Sequence, residues 1–180
     1  MAAARIDAQH DNNGNVADLE SLISRYGSSS MVSDDVTAPN LVNASMQECL
    51  AMANTQGRLV AGFKAVVDAL EKNSHQCLFC VLPENLWNDD NRKAMFCFVI
   101  SLCHQHNVKM IKVDDDQLVR KIIDRTSGNP NLGTLSYECI LIQSNANRQK
   151  LPCDQHMLLY IDRFPDNDFE NLPLVKLSEF

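Results

Sequence analysis

CLFCVLPENLWNDDNRKAMFCFVISLCHQHNVKMIKV, residues 77–113, is the stretch whose reading decides the fold. It begins and ends with short apolar runs: Cys77 to Leu82, closed by Pro83, and Val108 to Val113, which carries β-branched residues. Near-continuous apolar runs of that length predict strands of a sheet covered on both faces. Between them, Asn91 to His106 is long enough for a crossover helix, so the stretch reads as a βαβ unit. At about 100° per residue, Ala94, Met95, Phe96, Phe98, Val99, Leu102 and Cys103 spread over roughly 160° of that helix, a wider apolar sector than one sheet face takes up. The excess predicts a second partner surface.

Composition bounds what surrounds this unit. A chain of 180 residues with 45% hydrophobic content builds one core, so the reading is a polar tail over residues 1–42 and a single α/β domain over 43–180. The net charge of −7 divides into −4 on residues 1–43 and −3 on the rest, the opposite of a basic nucleic-acid-binding face. Seven cysteines, an odd number, follow an N-terminus without the apolar core of a signal peptide, which predicts reduced thiols in cytosol or nucleus. A protein of 20.2 kDa without a basic targeting run is expected in both nucleus and cytoplasm. The longest apolar run, about ten residues, is short of the roughly 20 that cross a membrane, so a soluble protein is expected.

Outward from the central unit, the tail is rich in Asn, Asp, Ser and Ala and reads as disordered, apart from Leu19, Leu22, Ile23 and Tyr26 at helical spacing. Ser45-Met-Gln-Glu48 has the spacing of a capping box at the start of a first helix whose stripe is Met46, Cys49, Leu50 and Ala53. After Gly57 a second helix is predicted over residues 59–71, with Leu59, Phe63, Val66, Val67 and Leu70 inward and the small residues Gly62, Ala65 and Ala69 on its other side. Asp114, Asp115 and Asp116 open a helix carrying Leu118, Val119, Ile122 and Ile123, since carboxylates favour the positive end of a helix dipole. A loop with Gly128, Pro130 and Gly133 leads to a strand from Tyr137 to Ile142. Pro152 then starts a fifth helix carrying Met157, Leu158, Ile161 and Phe164, and a short strand spans Leu174 to Leu177. The order of elements implies a three-layer α/β/α sandwich with about four strands.

Chemical motifs are scarce. Cys77 and Cys80 have the CxxC spacing of zinc knuckles, yet residues three apart on a strand point to opposite faces, so buried cysteines are the expectation. Cys103, His104 and His106 read as a helix end rather than a metal site, and the Asp114–Asp116 triplet as helix capping rather than a calcium loop. No phosphate loop, nucleophile elbow or HExxH occurs. No catalytic residue, cofactor or metal is expected.

MQECLAMANTQGRLVAGFKAVVDAL, CLFCVLPE, NRKAMFCFVISLCHQHNVKMIKV, DQLVRKI, ECILIQSN and NLPLVKL together resemble the growth-arrest-and-DNA-damage-inducible family of acidic stress-response regulators, over roughly residues 44–178. The resemblance implies the fold of the kink-turn RNA-binding ribosomal protein superfamily, with a mixed central sheet between helices, and a function without catalysis. It further implies an adaptor that activates a MAP kinase kinase kinase after DNA damage or growth arrest. Such adaptors also contact cyclin-dependent kinase, a kinase inhibitor and the proliferating cell nuclear antigen. The family's acidic loop maps to Glu84, Asp89 and Asp90, here diluted by Asn85, Asn88 and Asn91 and followed by Arg92 and Lys93. Its self-association helices, forming homo- or heterodimers, map to the second and third helices, and therefore to Gly62, Ala65, Ala69, Met95, Phe98, Val99 and Leu102. The alternative is an RNA-binding module. Kink-turn binders of the superfamily carry an Asn-Glu pair with nearby Gly and Lys at the start of the second helix, where this sequence is read as Gly57-Arg58-Leu59-Val60-Ala61 without the pair.

Overall fold

The computed structural model describes residues 38–127, 136–145, 147, 149–164 and 168–178. The Leu19–Tyr26 segment and the loop residues Gly128, Pro130 and Gly133 lie outside them. Helix α1 spans Pro39–Thr55 and strand β1 Leu59–Ala61; α2 spans Phe63–Asn73 and β2 Cys77–Pro83. Then come α3 (Asp90–Gln105), β3 (Lys109–Val113), α4 (Asp116–Thr126), β4 (Ile140–Gln143), α5 (Pro152–Ile161) and β5 (Leu174–Val175).

The sheet is mixed and has five strands in the order β1-β4-β2-β3-β5. β2 pairs parallel with β3, Phe79 opposite Lys109 and Pro83 opposite Val113, and β3 pairs parallel with β5. β4 runs antiparallel to both β1 and β2. The expected βαβ unit is therefore the centre of the sheet, with α3 as its crossover. Side chains alternate across it as a pleat requires. Phe79, Val81, Ile111, Ile140 and Ile142 face α1, α4 and α5, while Cys80, Leu82, Met110 and Leu141 face α2 and α3. Both faces are buried, which is why these strands read as continuous apolar runs.

Two expectations near the N-terminus fail for identifiable reasons. Ser45 does not cap a helix, because α1 starts at Pro39, in the first turn, where a residue without N–H costs no hydrogen bond. Ser45 is instead fully buried, its hydroxyl 2.7 Å from Nδ1 of the buried His156 on α5. The second helix does not begin at Leu59. Leu59 to Ala61 form the edge strand β1, whose Val60 lies opposite Leu141 of β4. Gly62 then turns the chain at φ 91°, ψ 144°, a conformation open to glycine, so it precedes α2 instead of lying within it. That three-residue strand is the fifth strand of the sheet.

Local chemistry fixes the other ends. The Asp89 carboxylate accepts from the backbone N–H of Asn91 and Arg92 and caps α3. Asn107, at φ 54°, ends that helix in the left-handed turn that hands the chain to β3, with the Val108 N–H donating to the Cys103 carbonyl at 2.8 Å. Asp115 caps α4 through the N–H of Gln117, as the capping reading of the triplet expects, whereas Asp114 reaches across to accept from the N–H of Leu177. No helix of the described residues is long and apolar enough to cross a membrane.

Gly62→Ala would force a side chain into positive φ with its Cβ 3.4 Å from the Ser136 carbonyl oxygen. Chemical denaturation is expected to show a loss of about 1–3 kcal/mol. Gly57→Asn, at φ 66° with nothing within 4 Å, should lose less.

Candidate protein-binding surface

Helix α3 brings the two predicted contact regions together. At its N-terminus is the acidic loop, residues 84–91, which leaves β2 at the carboxyl end of the sheet. The loop is anchored, not loose. Leu86 is buried, and Trp87 stacks on Phe169 with ring centroids 3.7 Å apart at 10°. Phe96 packs against both rings, and the Lys93 ammonium lies 5.3 Å from the centre of the Trp87 ring. A partner binding here meets a preformed edge and loses little loop entropy.

The three predicted acidic residues take different parts. Glu84 is tied at 3.0 Å to Lys112, a buried ammonium that also donates to the Glu170 carbonyl and lies over the Phe169 ring. Asp89 is the cap of α3 and stands 3.5 Å from Arg92, whose guanidinium also reaches Glu138 at 3.1 Å. Asp90 is exposed in the first turn. The loop alone is thus partly neutralised. Carboxylates that the sequence reading used only as caps supplement it: Asn85 bonds Asp116 through its side-chain amide at 2.7 Å and accepts from the Asp116 N–H, drawing the start of α4 to the loop. The signal for this was present, since parallel neighbours β2 and β3 end side by side and each is followed by acidic residues.

Along the exposed side of α3, Met95 and Phe98 are 43% and 50% accessible, unusual for such large apolar side chains. Val99 and Leu102, expected on the same face, belong instead to the core with Phe96 and Cys103. The correction follows from the partner helix. α2 packs beside α3, with Phe63 edge-on to Phe96 at 5.1 Å, and takes up the part of the wide apolar sector that the sheet leaves uncovered. Ala65 is exposed and Ala69 half-buried on α2. Gly62, corrected above to the turn before α2, lines a shallow concavity of about 380 Å³ with Ala61, Phe63, Lys64, Ala65, Asp68, Ser136 and Glu138. The residues at the start of the second helix are thus Gly62, Phe63, Lys64 and Ala65, not Gly57 to Ala61 as the sequence reading had it. No Asn-Glu pair stands there either.

The CxxC reading is corrected in geometry. A register shift in the β2–β4 pairing between Cys77 and Phe79 adds a residue, so Cys77 and Cys80 face the same side, with Cys103 and Cys139 nearby. Cys80 Sγ lies 3.6 Å from Cys139 Sγ. His104 is exposed at the end of α3, and Cys103 points inward, so the two do not converge.

A model of the Ribosomal protein L7Ae/L30e/S12e/Gadd45 family matches residues 44–142, from α1 through β4. No curated protein matches the sequence.

Buried thiols also set an alkaline limit on the fold. Burial, with the neighbouring Cys153 and Asp154, holds Cys49 well above its usual 9.0, and burial raises Cys77 to about 11. Contact with Cys80 and burial raise Cys103 as well. A pKa raised in the folded state means that the native protein keeps protons the unfolded chain has lost. Stability is then fully present below pH 9 and falls as pH rises above it, by at most about 1.4 kcal/mol per pH unit for each fully buried thiol. Denaturation midpoints at pH 7.5 and 10 should show this decline, and Cys103→Ala should flatten it.

Proposed function

The chain belongs to the Ribosomal protein L7Ae/L30e/S12e/Gadd45 family, and we propose that within it this protein is a non-catalytic adaptor of the stress response. It binds and activates a MAP kinase kinase kinase and modulates cell-cycle proteins after DNA damage or growth arrest. The observation that carries this reading is the convergence on α3 of a rigid acidic edge, Asp89 and Asp90 with Asp115 and Asp116 beside them, and an exposed apolar pair, Met95 and Phe98. Charge at a rim steers and selects a partner, and an adjacent apolar anchor supplies affinity. Cyclin-dependent kinase, a kinase inhibitor and the proliferating cell nuclear antigen are the further partners of this reading, in nucleus and cytoplasm.

RNA binding is the weaker reading. Although Gly62 and Lys64 stand at the start of α2, Ala65 follows where hydrogen bonding to bases would need a polar pair, and Asp68 and Glu138 line the same concavity. Carboxylates there repel phosphate.

Self-association is assigned to the exposed side of α2 and α3, through Ala65, Ala69, Met95 and Phe98. Val99 and Leu102 support it only from the core.

Capture of the kinase should weaken on the order of tenfold in the pair Asp89→Asn and Asp90→Asn, since each rim charge contributes about 1 kcal/mol or less. Asn still caps a helix, so the fold is kept. Unchanged capture would remove the acidic edge from the contact.

Phe98→Glu should convert a self-associating wild type to monomer in sedimentation velocity, with little change in denaturation midpoint because Phe98 is 50% exposed. A wild type that is monomeric at tens of micromolar would refute the interface.

A further inference from the structure

On the opposite side of the sheet from α3, α1 crosses α5 and brings together two cysteines and an aspartate. Cys49 of α1 and Cys153 and Asp154 of the first turn of α5 are all buried, and one donor atom from each lies within 4.8 Å of the others. Cys49 Sγ is 3.6 Å from Asp154 Oδ1. In a tetrahedral site with metal–sulfur bonds of about 2.3 Å and metal–oxygen bonds of about 2.1 Å, neighbouring donors stand about 3.6–3.8 Å apart. The Cys49–Asp154 spacing equals that of a sulfur–oxygen pair in such a site, and the other two pairs lie within 4.8 Å, close enough for one ion to draw together.

The carboxylate is held for this role. Its other oxygen, Oδ2, accepts from Arg58 Nη1 at 3.1 Å and from the Leu151 N–H at 3.0 Å, which leaves Oδ1 directed at the thiol. Outer donors of this kind orient a ligating carboxylate. Arg58 is itself fixed, with Nη1 also donating to the Gln143 carbonyl at 2.7 Å and Nε to Gln56 at 2.8 Å. Its Nη2 is buried without an acceptor among the described residues. Charge closes as well: Asp154 is balanced by Arg58, and a divalent cation balances two thiolates. Such balance is what a buried ionic cluster needs.

We propose that Cys49, Cys153 and Asp154 form a buried site for a single thiophilic divalent cation of the zinc class. Two sulfur donors exclude calcium and magnesium. Three protein donors leave one coordination position for a water. Each ion that binds displaces one proton from each thiol. Affinity therefore rises with pH. The ion would pin α1 to α5 on the side of the sheet away from α2 and α3.

Cobalt(II) added to the reduced full chain, natively and during refolding, tests the site. One equivalent is expected to give a thiolate-to-cobalt charge-transfer band that zinc abolishes. The band should vanish in Cys153→Ser and in Cys49→Ser and remain in Cys97→Ser, the exposed cysteine, and in Cys80→Ser, from the other face of the sheet. Zinc should also raise the denaturation midpoint of the wild type, and a chelator should reverse the rise. Absence of a band from the folded wild type overturns the proposal, whether or not the variants fold. So does a band that survives in folded Cys153→Ser, or one that is lost in Cys97→Ser.

Discussion

The structure depends on the pairing of β2 with two neighbours of opposite sense, β3 parallel and β4 antiparallel. A strand held on both edges leaves few backbone groups for solvent, and its side chains then have to be covered above and below. Phe79 and Val81 meet α1 and α5 on one side, and Cys80 and Leu82 meet α2 and α3 on the other. The parallel β2–β3 pair fixes α3 as the crossover between them, because a parallel connection has to cross a face of the sheet. The acidic loop, the Asp89 cap and the position of Met95 and Phe98 all follow from where that crossover begins.

The division of α3 into core and surface is a matter of competition among neighbours. Its apolar residues cover more than the sheet can accept, and α2 takes Phe96, Val99 and Leu102 into a shared cluster. Met95 and Phe98 are what remains. Keeping a phenylalanine half in water is costly by about 1 kcal/mol or more compared with burying it. A side chain kept there against that cost suits a surface that is covered when the protein is assembled.

The three-layer architecture and the βαβ centre were legible because their signals are long and redundant: two apolar runs, a helical period between them and acidic residues at each strand end. The misread parts depended on single residues whose backbone angles the sequence does not display. Gly62 was legible as a small residue but not as one at φ 91°, and with it went both the existence of β1 and the start of α2. The Ser45–Glu48 spacing fits a capping box, yet Pro39 starts the helix earlier and turns Ser45 into a buried partner of His156. Alternation along a strand separates Cys77 from Cys80, but one extra residue in the ladder reunites them. At the candidate surface, the acidic positions were readable and most of their pairing was not, since Lys112 reaches Glu84 and Arg92 reaches Glu138 only through tertiary packing. The Cys49, Cys153 and Asp154 group was out of reach of any local pattern, because 103 residues lie between its two halves.

That α3 and its entry loop form the protein-binding surface is tested most directly by backbone and methyl NMR shifts of the isotope-labelled full chain during titration with the MAP kinase kinase kinase. Perturbations should concentrate on residues 84–98 and the start of α4, and should leave Gly62 to Lys64 unmoved. Shifts centred on Gly62 to Lys64 with kink-turn RNA and none with the kinase would contradict it.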